Sequence, residues 1–231
     1  MNAQVTEAII LSRTDFGEAD RILTLLTPDH GKLRLMAKGV RRVKSKLAGG
    51  IELFSTSTIT FVKGKGEIGT LVSTRLLRHY SHIVKDLDRT MMGYKLIKEL
   101  NTITEDQPDS EYFDLLKRGF EALDNQAMPL QLISFWFTTQ LLRLTGHMPN
   151  LQTDKTGQRL DASKSFDFDF EQMCFAESSY GKYTVDHIKF LRLSFTASHS
   201  AKILAQVQGR VELTKALTPL LATMMQTHLR I

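Results

Sequence analysis

Hydrophobic and polar positions alternate in short runs up to about residue 78, and turn sequences separate these runs. Five runs occupy residues 5–13, 21–27, 32–38, 51–62 and 67–77. PDHG separates the second run from the third, and KGKG separates the fourth from the fifth; both contain residues that favour tight turns. The pattern predicts five strands with two hairpins, in a small closed or nearly closed barrel of the OB type.

After Tyr80 the apolar residues recur at intervals of three and four, which is typical of amphipathic helices. The predicted helices cover residues 84–103, 109–125, 129–146, 185–195, 198–207 and 211–229. The apolar faces of the first two are predicted to consist of Leu87, Met91, Tyr94 and Leu100, and of Phe113, Leu116, Phe120 and Leu123. Pro129 suits the first helical position, and Pro219 can kink the last helix.

The predicted fold class is therefore α+β with two domains. Residues 1–80 are predicted to form an OB-fold domain, and residues 81–231 a helical domain. Residues 147–184 interrupt the helical domain, because they are polar, contain Gly and Ser and have little helical period. They are interpreted as an irregular insertion with one strand-like run at residues 165–177.

Positive charge is concentrated in the first third of the chain. Residues 1–80 contain 13 Lys and Arg against 7 Asp and Glu, whereas residues 81–231 contain 17 against 18. Between His30 and Ile51 there are seven basic residues and no acidic one: Lys32, Arg34, Lys38, Arg41, Arg42, Lys44 and Lys46. Such asymmetry suggests a polyanion-binding module, although a short basic run is also compatible with a solvated loop.

The third predicted strand favours the nucleic-acid interpretation. Because side chains alternate along a strand, Leu33, Leu35 and Ala37 fall on one face and Lys32, Arg34 and Lys38 on the other. The basic loop therefore continues a basic strand face. A strip that starts on a rigid strand and continues into a loop can follow a phosphate backbone, so these seven residues are the predicted nucleic-acid-binding site.

Composition narrows the other possibilities. The most apolar window, residues 132–144, is too short to span a bilayer, and the first ten residues lack the pattern of a signal peptide, so a cytoplasmic location is expected. Cys174 is the single cysteine, which excludes an internal disulfide and a Cys-based zinc cage within one chain. No phosphate-loop, dinucleotide-binding or hydrolase motif occurs, so an enzyme and a cofactor are not expected.

The order of these features resembles the DNA repair protein RecO family. The segment TEAIILSRTDFGEADRILTLLTPDHGKLRLMAKGVRRVKSK is similar to the opening of that family, and Arg41, Arg42, Lys44 and Ser45 stand where the family has its basic loop. GEIGTLVSTRLLRHY extends the similarity, and LLRLTGHMPNL resembles the family pattern LLxxxGxxPxL. The resemblance covers the barrel densely and the helical part sparsely, to about residue 151.

The resemblance implies an N-terminal OB-fold and a C-terminal helical domain that often carries a four-cysteine zinc site. Here the corresponding positions are Asp154, Gly157, Thr184 and His187, and none of them is Cys. The insertion is therefore expected to be a degenerate, zinc-less version of a zinc finger. Packing of Phe166, Phe168, Phe170 and Phe175 is expected to hold it, with the first three on one face.

The resemblance also implies a non-enzymatic recombination mediator at the bacterial nucleoid. Such a protein binds single- and double-stranded DNA, anneals complementary strands and works with RecR to load RecA onto DNA coated by the single-strand binding protein SSB. Annealing has a physical basis in the few barrel aromatics, Phe16, Phe54, Phe61 and Tyr80, because a cation-rich barrel with few stacking platforms leaves base edges able to pair. An RNA-binding OB-fold protein and a non-catalytic protein adaptor remain as alternatives.

Overall fold

The computed structural model describes residues 2–64, 66–104, 110–196 and 201–229. The chain forms two compact units, Met1–Gln126 and Ala127–Ile231. The first unit contains the barrel together with three helices, so the boundary between compact units lies well beyond residue 80. That residues 1–80 fold independently remains a prediction. In the described ranges, no helix is both long and apolar enough to cross a membrane.

The five predicted strands are present: β1 (Gln4–Phe16), β2 (Asp20–Thr27), β3 (Gly31–Ala37), β4 (Ser55–Val62) and β5 (Ile68–His79). They close into a barrel in the order β1-β2-β3-β5-β4. Both predicted hairpins, β2–β3 and β4–β5, are antiparallel pairs. Side chains such as Leu23, Leu25 and Leu35 fill the interior, as the alternating pattern requires. The prediction of a small OB-type barrel is confirmed.

The barrel closes where β3 meets β5. This is a short parallel pair in which Arg34 lies opposite Ile68, Leu35 opposite Gly69 and Met36 opposite Thr70. A Cβ atom at Gly69 would lie 2.8 Å from both Leu35 Cδ2 and the Val62 carbonyl oxygen. Glycine at this position therefore leaves room for both the Leu35 side chain of β3 and the Val62 carbonyl of β4.

Three helices complete the first unit: α1 (Ser81–Val84), α2 (Leu87–Ile103) and α3 (Ser110–Asp124). The predicted apolar face of α3 is buried in full. The predicted face of α2 is wrong, since Leu87, Met91 and Tyr94 are exposed and only Leu100 of that set is buried. The buried residues of α2 are instead Arg89, Gly93, Leu96, Ile97 and Leu100.

Phe54 explains which face of α2 is buried. Its ring lies against Gly93, where a Cβ atom would come within 2.6 Å of Phe54 Cε1. The same ring contacts Phe120 of α3 edge to face, with the ring centroids 5.5 Å apart. Tyr80, which is fully buried, contacts Phe120 at 5.6 Å. Two aromatic residues at the end of the barrel thus pack against both α2 and α3.

A buried arginine holds the end of α3. The guanidinium of Arg89 donates hydrogen bonds to the carbonyl oxygens of Leu123 at 2.7 Å, Asn125 at 3.1 Å and Gln126 at 2.8 Å. The last carbonyls of a helix have no partner within the helix, and a cation there also interacts favourably with the helix dipole. Arg89 therefore links α2 to α3 through polar contacts.

The second unit contains α4 (Leu130–Leu144), α5 (Val185–Thr196), α6 (Ala201–Leu204), α7 (Arg210–Met224) and a π-helical turn (Met225–Leu229). Pro129 is the N-cap of α4 and not its first helical residue, because its ψ of 132° is extended. Pro219 lies inside α7, which continues past it. The predicted helix at 198–207 is reduced to α6, and its first three positions lie outside the described residues.

Residues 147–184 are more regular than the sequence predicts. They contain β6 (Asn150–Asp154), β7 (Phe166–Asp169) and β8 (Cys174–Glu177), arranged as a sheet in the order β6-β8-β7. The predicted strand-like run is divided into β7 and β8. The aromatic rings form a chain of edge-to-face contacts through Phe170, Phe168, Phe175 and Tyr183, with Phe166 buried beside them.

Hydrogen bonds link the residues at and near the positions where the family pattern has cysteines. The Asp154 carboxylate accepts bonds from the backbone N–H and the hydroxyl of Thr156 and from the backbone N–H of Gln158. The hydroxyl bond is the main reason that the pKa of Asp154 lies below its usual value. Thr184 Oγ1 lies 2.8 Å from His187 Nδ1. Among the described residues, no three His, Cys, Asp or Glu could hold a metal ion together.

Candidate nucleic-acid interface

The outer face of β1, β2 and β3 carries a mixture of apolar and basic side chains. Ile22 of β2 lies opposite Met36 of β3, and Thr24 lies opposite Arg34. Leu35 and Ala37, which alternate with these residues, point inward and are buried. The predicted separation of β3 into a buried apolar face and an outer basic face is therefore correct. Arg34 and Lys38 are exposed on the outer side.

Lys32 has a different neighbourhood from the other six predicted residues. Its ammonium donates a 3.1 Å hydrogen bond to the carbonyl oxygen of Asn101 in the last turn of α2. The Asn101 side-chain oxygen lies 3.5 Å away. This places Lys32 at the end of the barrel that faces the helices, where its charge complements the C-terminus of α2.

The basic loop after β3 is held against the turn between β1 and β2. The backbone N–H of Gly39 donates a 2.7 Å bond to the Asp20 carboxylate, and the backbone N–H of Arg41 donates a 2.9 Å bond to the Ala19 carbonyl. The Arg41 guanidinium also donates to the Gly17 carbonyl at 3.3 Å. The first part of the loop is therefore positioned by two strands as well as by its own backbone.

Asp15 partly neutralises Arg41. Its carboxylate accepts a 2.7 Å hydrogen bond from Arg21 Nε, and its second oxygen lies 3.5 Å from Arg41 Nε. The hydrogen bond from Arg21 is the largest cause of a lowered Asp15 pKa, and the charge of Arg41 adds to it. Arg41 is thus both a predicted site residue and a residue that bonds the loop to the end of β1.

The far end of the loop is attached to β5. The hydroxyl of Thr74 donates a 3.2 Å bond to the Leu47 carbonyl. A 3₁₀ turn at Ala48–Gly50 follows, and Gly50 lies so close to Thr74 that a side chain there would collide with it. Since both ends of the loop are bonded to the barrel, its tip is confined to one region of the surface.

The loop cations without ion-pair partners among the described residues lie at the start of the loop, Lys38, and at its tip, residues 42–46. Lys38, Arg42, Lys44 and Lys46 are exposed, and none of them forms an ion pair within the part of the chain that the structure describes. A turn closed by a 2.9 Å bond from the Ser45 N–H to the Arg42 carbonyl shapes the tip. The arrangement can offer several cations to successive phosphates at modest desolvation cost.

Two further residues of this region were not predicted as site residues. Lys63 begins the β4–β5 turn and is exposed, and its Cα atom lies near Gly69 where β5 meets β3. Phe16 ends β1 and is 53% exposed. In the sequence, KGKG predicts only a turn, and Phe16 is only one of the few aromatic residues of the barrel. The loops after strands 1 and 4 of OB-folds commonly bind nucleic acid, which could have identified both.

The second unit has a pocket of about 500 Å³ between α4 and α7. It is lined by Pro129, Gln131, Leu132, Arg210, Val211, Thr214, Lys215, Thr218 and Pro219. Thr214 Oγ1 and Arg210 Nε are buried, and neither has a hydrogen-bond partner among the described residues. Both atoms are covered by neighbouring protein atoms, so the polar groups that the pocket offers to a ligand are those of the charged side chains Arg210 and Lys215.

Comparison with known families agrees with this architecture. The model of the recombination protein O N-terminal region matches residues 1–80, and that of the C-terminal region matches residues 96–229. The chain belongs to the RecO family. The resemblance noted in the barrel therefore extends through the helical part.

Individual RecO proteins are similar over about two thirds of the chain. The DNA repair protein RecO of Dehalococcoides mccartyi is 36% identical over 148 residues, which cover 64% of this chain and 58% of that protein. The RecO proteins of Rhodopirellula baltica and Myxococcus xanthus are 33% and 34% identical, and the matches cover 54% and 60% of their lengths. The chain thus spans less than two thirds of the length of these relatives.

Proposed function

We propose that this RecO-family chain is a non-enzymatic recombination mediator that binds single- and double-stranded DNA through its phosphate backbone in DNA repair. The observation that carries the proposal is the tip of the basic loop, where Arg42, Lys44 and Lys46 are exposed without ion-pair partners among the described residues. Contacts to phosphates position DNA and contribute affinity that depends little on sequence.

The path of the DNA runs from the loop tip across the outer face of β3. Lys38 and Arg34 follow the loop along this face, and Lys63 lies beyond Arg34 on the β4–β5 turn. Arg34 has a weak partner in Glu67 at 3.7 Å, and both side chains are exposed, so the pair yields readily to a phosphate. Lys32 is held by Asn101 and contributes less than the exposed cations.

Strand annealing follows from how this surface holds DNA. Phe54, Phe61 and Tyr80 are buried, so they present no ring to a nucleobase. A surface that holds phosphates and covers few bases leaves the hydrogen-bonding edges of a single strand exposed to a complementary strand. The proposed cellular role, in cooperation with RecR, is to load RecA onto DNA that is coated by SSB.

The pocket between α4 and α7 is the proposed contact for the acidic tail of SSB. Arg210 and Lys215, which line the pocket, suit the carboxylates of an acidic tail. Binding of the acidic tail peptide should weaken in Arg210→Ala and Lys215→Glu, while the exposed Lys182→Glu should bind it normally. Equal binding by all variants would place the SSB contact elsewhere.

A salt series tests the proposed DNA contact. The variant Arg42→Ala, Lys44→Ala, Lys46→Ala is compared with a control that removes three exposed charges elsewhere, at Lys85, Lys98 and Lys182. Each phosphate contact contributes about 0.7 to the slope of log affinity against log salt on single strands, so the loop variant should lose roughly 2. The control should keep the wild-type slope, because its lysines lie off the proposed path.

Annealing and substrate class are measured with the same variants. The wild type should accelerate annealing of complementary strands, and the loop variant should do so more slowly. A folded loop variant with an unchanged salt slope contradicts the proposed DNA path. Tighter binding to RNA than to DNA would instead favour an RNA-binding protein.

A further inference from the structure

Phe16 is an exposed aromatic residue at the end of a barrel strand. It ends β1, lies opposite Asp20 across the β1–β2 turn, and leaves 53% of its surface exposed. The other barrel aromatics, Phe54, Phe61 and Tyr80, are at most 2% exposed. Of these four residues, Phe16 is therefore the one whose ring a ligand can reach.

The strand register places Phe16 on the outer face of the sheet. Thr14 lies opposite Ile22, and two residues further along the same face Phe16 lies opposite Asp20. Ile22 in turn lies opposite Met36 of β3, whose side chain alternates with the inward Leu35 and Ala37. The exposed ring therefore shares a face with the half-buried apolar pair Ile22 and Met36, and with Arg34 beyond them.

The residues on either side of Phe16 hold the basic loop. The Asp15 carboxylate lies 3.5 Å from Arg41 Nε, and the Gly17 carbonyl accepts a hydrogen bond from the same guanidinium. Asp20, opposite Phe16, accepts the hydrogen bond from Gly39. The turn that carries Phe16 is therefore bonded to the start of the basic loop, at Gly39 and Arg41.

The charge around Phe16 favours a base over a phosphate. Asp15, Glu18 and Asp20 lie within four residues of the ring along the chain, and their carboxylates repel phosphates. The cations of the basic loop, by contrast, attract phosphates. A nucleobase has no charge, and its flat face matches an exposed phenyl ring.

We propose that Phe16 is a stacking platform for one unpaired nucleobase of single-stranded DNA, next to the phosphate path of the basic loop. The inference rests on the proposed DNA binding and adds a contact that a duplex cannot make, because duplex bases are already stacked on each other. Stacking uses the face of the base and leaves its hydrogen-bonding edge exposed, so a single platform is compatible with annealing.

The test compares Phe16→Ala with Phe16→Trp, which keeps a flat aromatic surface. With a single-stranded oligonucleotide that contains 2-aminopurine, Phe16→Ala should bind about 5- to 100-fold more weakly. Phe16→Trp should bind like the wild type. Binding of the wild type should quench the 2-aminopurine fluorescence, and binding of Phe16→Ala should quench it less. The salt slope should be the same in all three proteins, since no phosphate contact is lost.

Two other ligands separate this inference from the proposed function. An abasic oligonucleotide of equal length and a duplex should bind equally well to the wild type and to Phe16→Ala. Unchanged single-strand affinity in Phe16→Ala, or an equal loss for all three ligands, overturns the stacking contact. The proposed phosphate contacts are judged separately by the salt slope of the loop variant. If the wild type binds none of these ligands, both proposals are wrong.

Discussion

The carboxylate of Asp20 accepts a 2.7 Å hydrogen bond from the backbone N–H of Gly39, and this bond joins the β1–β2 turn to the start of the basic loop. Gly39 has a positive φ of 64°, so the chain turns sharply at the bonded residue. The direction in which the loop leaves β3 is therefore set by a contact outside β3.

Asp20→Ala and Asp20→Asn separate the effect of this bond from the effect of the charge. Both variants remove one negative charge near the cations, but only Asn keeps an oxygen that can accept the bond. A neutral hydrogen bond contributes about 0.5–1.5 kcal/mol, so Asp20→Ala should bind DNA up to about tenfold more weakly than Asp20→Asn. Fluorescence anisotropy at fixed salt measures the difference. Equal affinities would mean that the loop is positioned without Asp20.

Replacement of Arg89 tests the polar link between α2 and α3. Arg89→Met leaves the carbonyls of Leu123, Asn125 and Gln126 without this donor, and each bond to a charged group contributes about 1.5–3 kcal/mol. The three bonds share one side chain and do not contribute independently, so the free energy of unfolding should fall by about 2–4 kcal/mol in urea denaturation. Lys85→Met is the control, because Lys85 is exposed nearby and should change stability by less than about 0.5 kcal/mol. A similar stability of both variants would contradict the assignment.

Truncation tests where the DNA-binding unit ends. The sequence predicts that residues 1–80 suffice, but Phe54 and Tyr80 are buried against Phe120 of α3. Residues 1–126 should unfold cooperatively and keep the DNA affinity of the barrel. Residues 1–80 should be less stable by about 3–6 kcal/mol, since two aromatic side chains lose their cover. Equal stability of both fragments, in thermal unfolding followed by circular dichroism, would restore the boundary at residue 80.

Packing of the finger-like sheet should make it independent of metal. Phe175→Ala should lower the free energy of unfolding by about 3–5 kcal/mol, because Phe175 is fully buried between Phe168 and Tyr183. Phe170→Ala is the matched control, since Phe170 is 37% exposed and should cost much less. A chelator should leave the unfolding curve of the wild type unchanged. Stoichiometric zinc in the purified protein, with unfolding on chelation, would overturn this prediction.

Stability should depend on pH through His147. Its ring is stacked on His228, with the centroids 4.7 Å apart, and burial together with the charge of His228 lowers its pKa from 6.5. The unfolded chain therefore binds a proton at a higher pH than the folded chain. The contribution of His147 is fully present above pH 6.5 and decreases as the pH falls from there to the lowered folded pKa.

His147→Gln should reduce this dependence. Urea midpoints at pH 7.5 and 5.5 should differ less in the variant than in the wild type. Some dependence should remain, because burial also lowers the pKa of His187. An identical pH dependence in both proteins would show that the histidine pair contributes nothing.

The accuracy of the sequence predictions follows from the range of the interactions involved. The five strands and the outward face of β3 were predictable, because alternation is a local property of Leu35, Ala37 and their neighbours. The contact of Lys32 with Asn101 was not, since it joins residues 69 positions apart. The exposed face of α2 was misjudged because apolar residues occur on two faces of that helix, and only the contact of Phe54 with Gly93 decides which one is buried.

Burial of a charged residue was equally hard to foresee. Lys and Arg are seldom buried unless they are paired, so Arg89 is expected at the surface from its type alone. Its partners are backbone carbonyls at the end of another helix, which leave no trace in side-chain patterns. At the candidate site, the sequence shows the cations as a basic run. It does not show which of them have ion-pair partners, because contacts such as that of Asp15 with Arg41 depend on the pairing of β1 with β2.

The seam between β3 and β5 is one of two places where the barrel joins strands that are distant in the chain. The pairs β1–β2, β2–β3 and β4–β5 join strands that follow each other, whereas β1–β4 joins Gln4 to Phe61 and the seam joins Arg34 to Ile68 across the whole basic loop. Contacts between distant residues form late in folding, because a long loop must first be ordered. Arg34 lies on one side of the seam, and Lys63 lies beside Gly69 on the other. A DNA strand bound to both would fasten one of the two late-forming seams of the barrel.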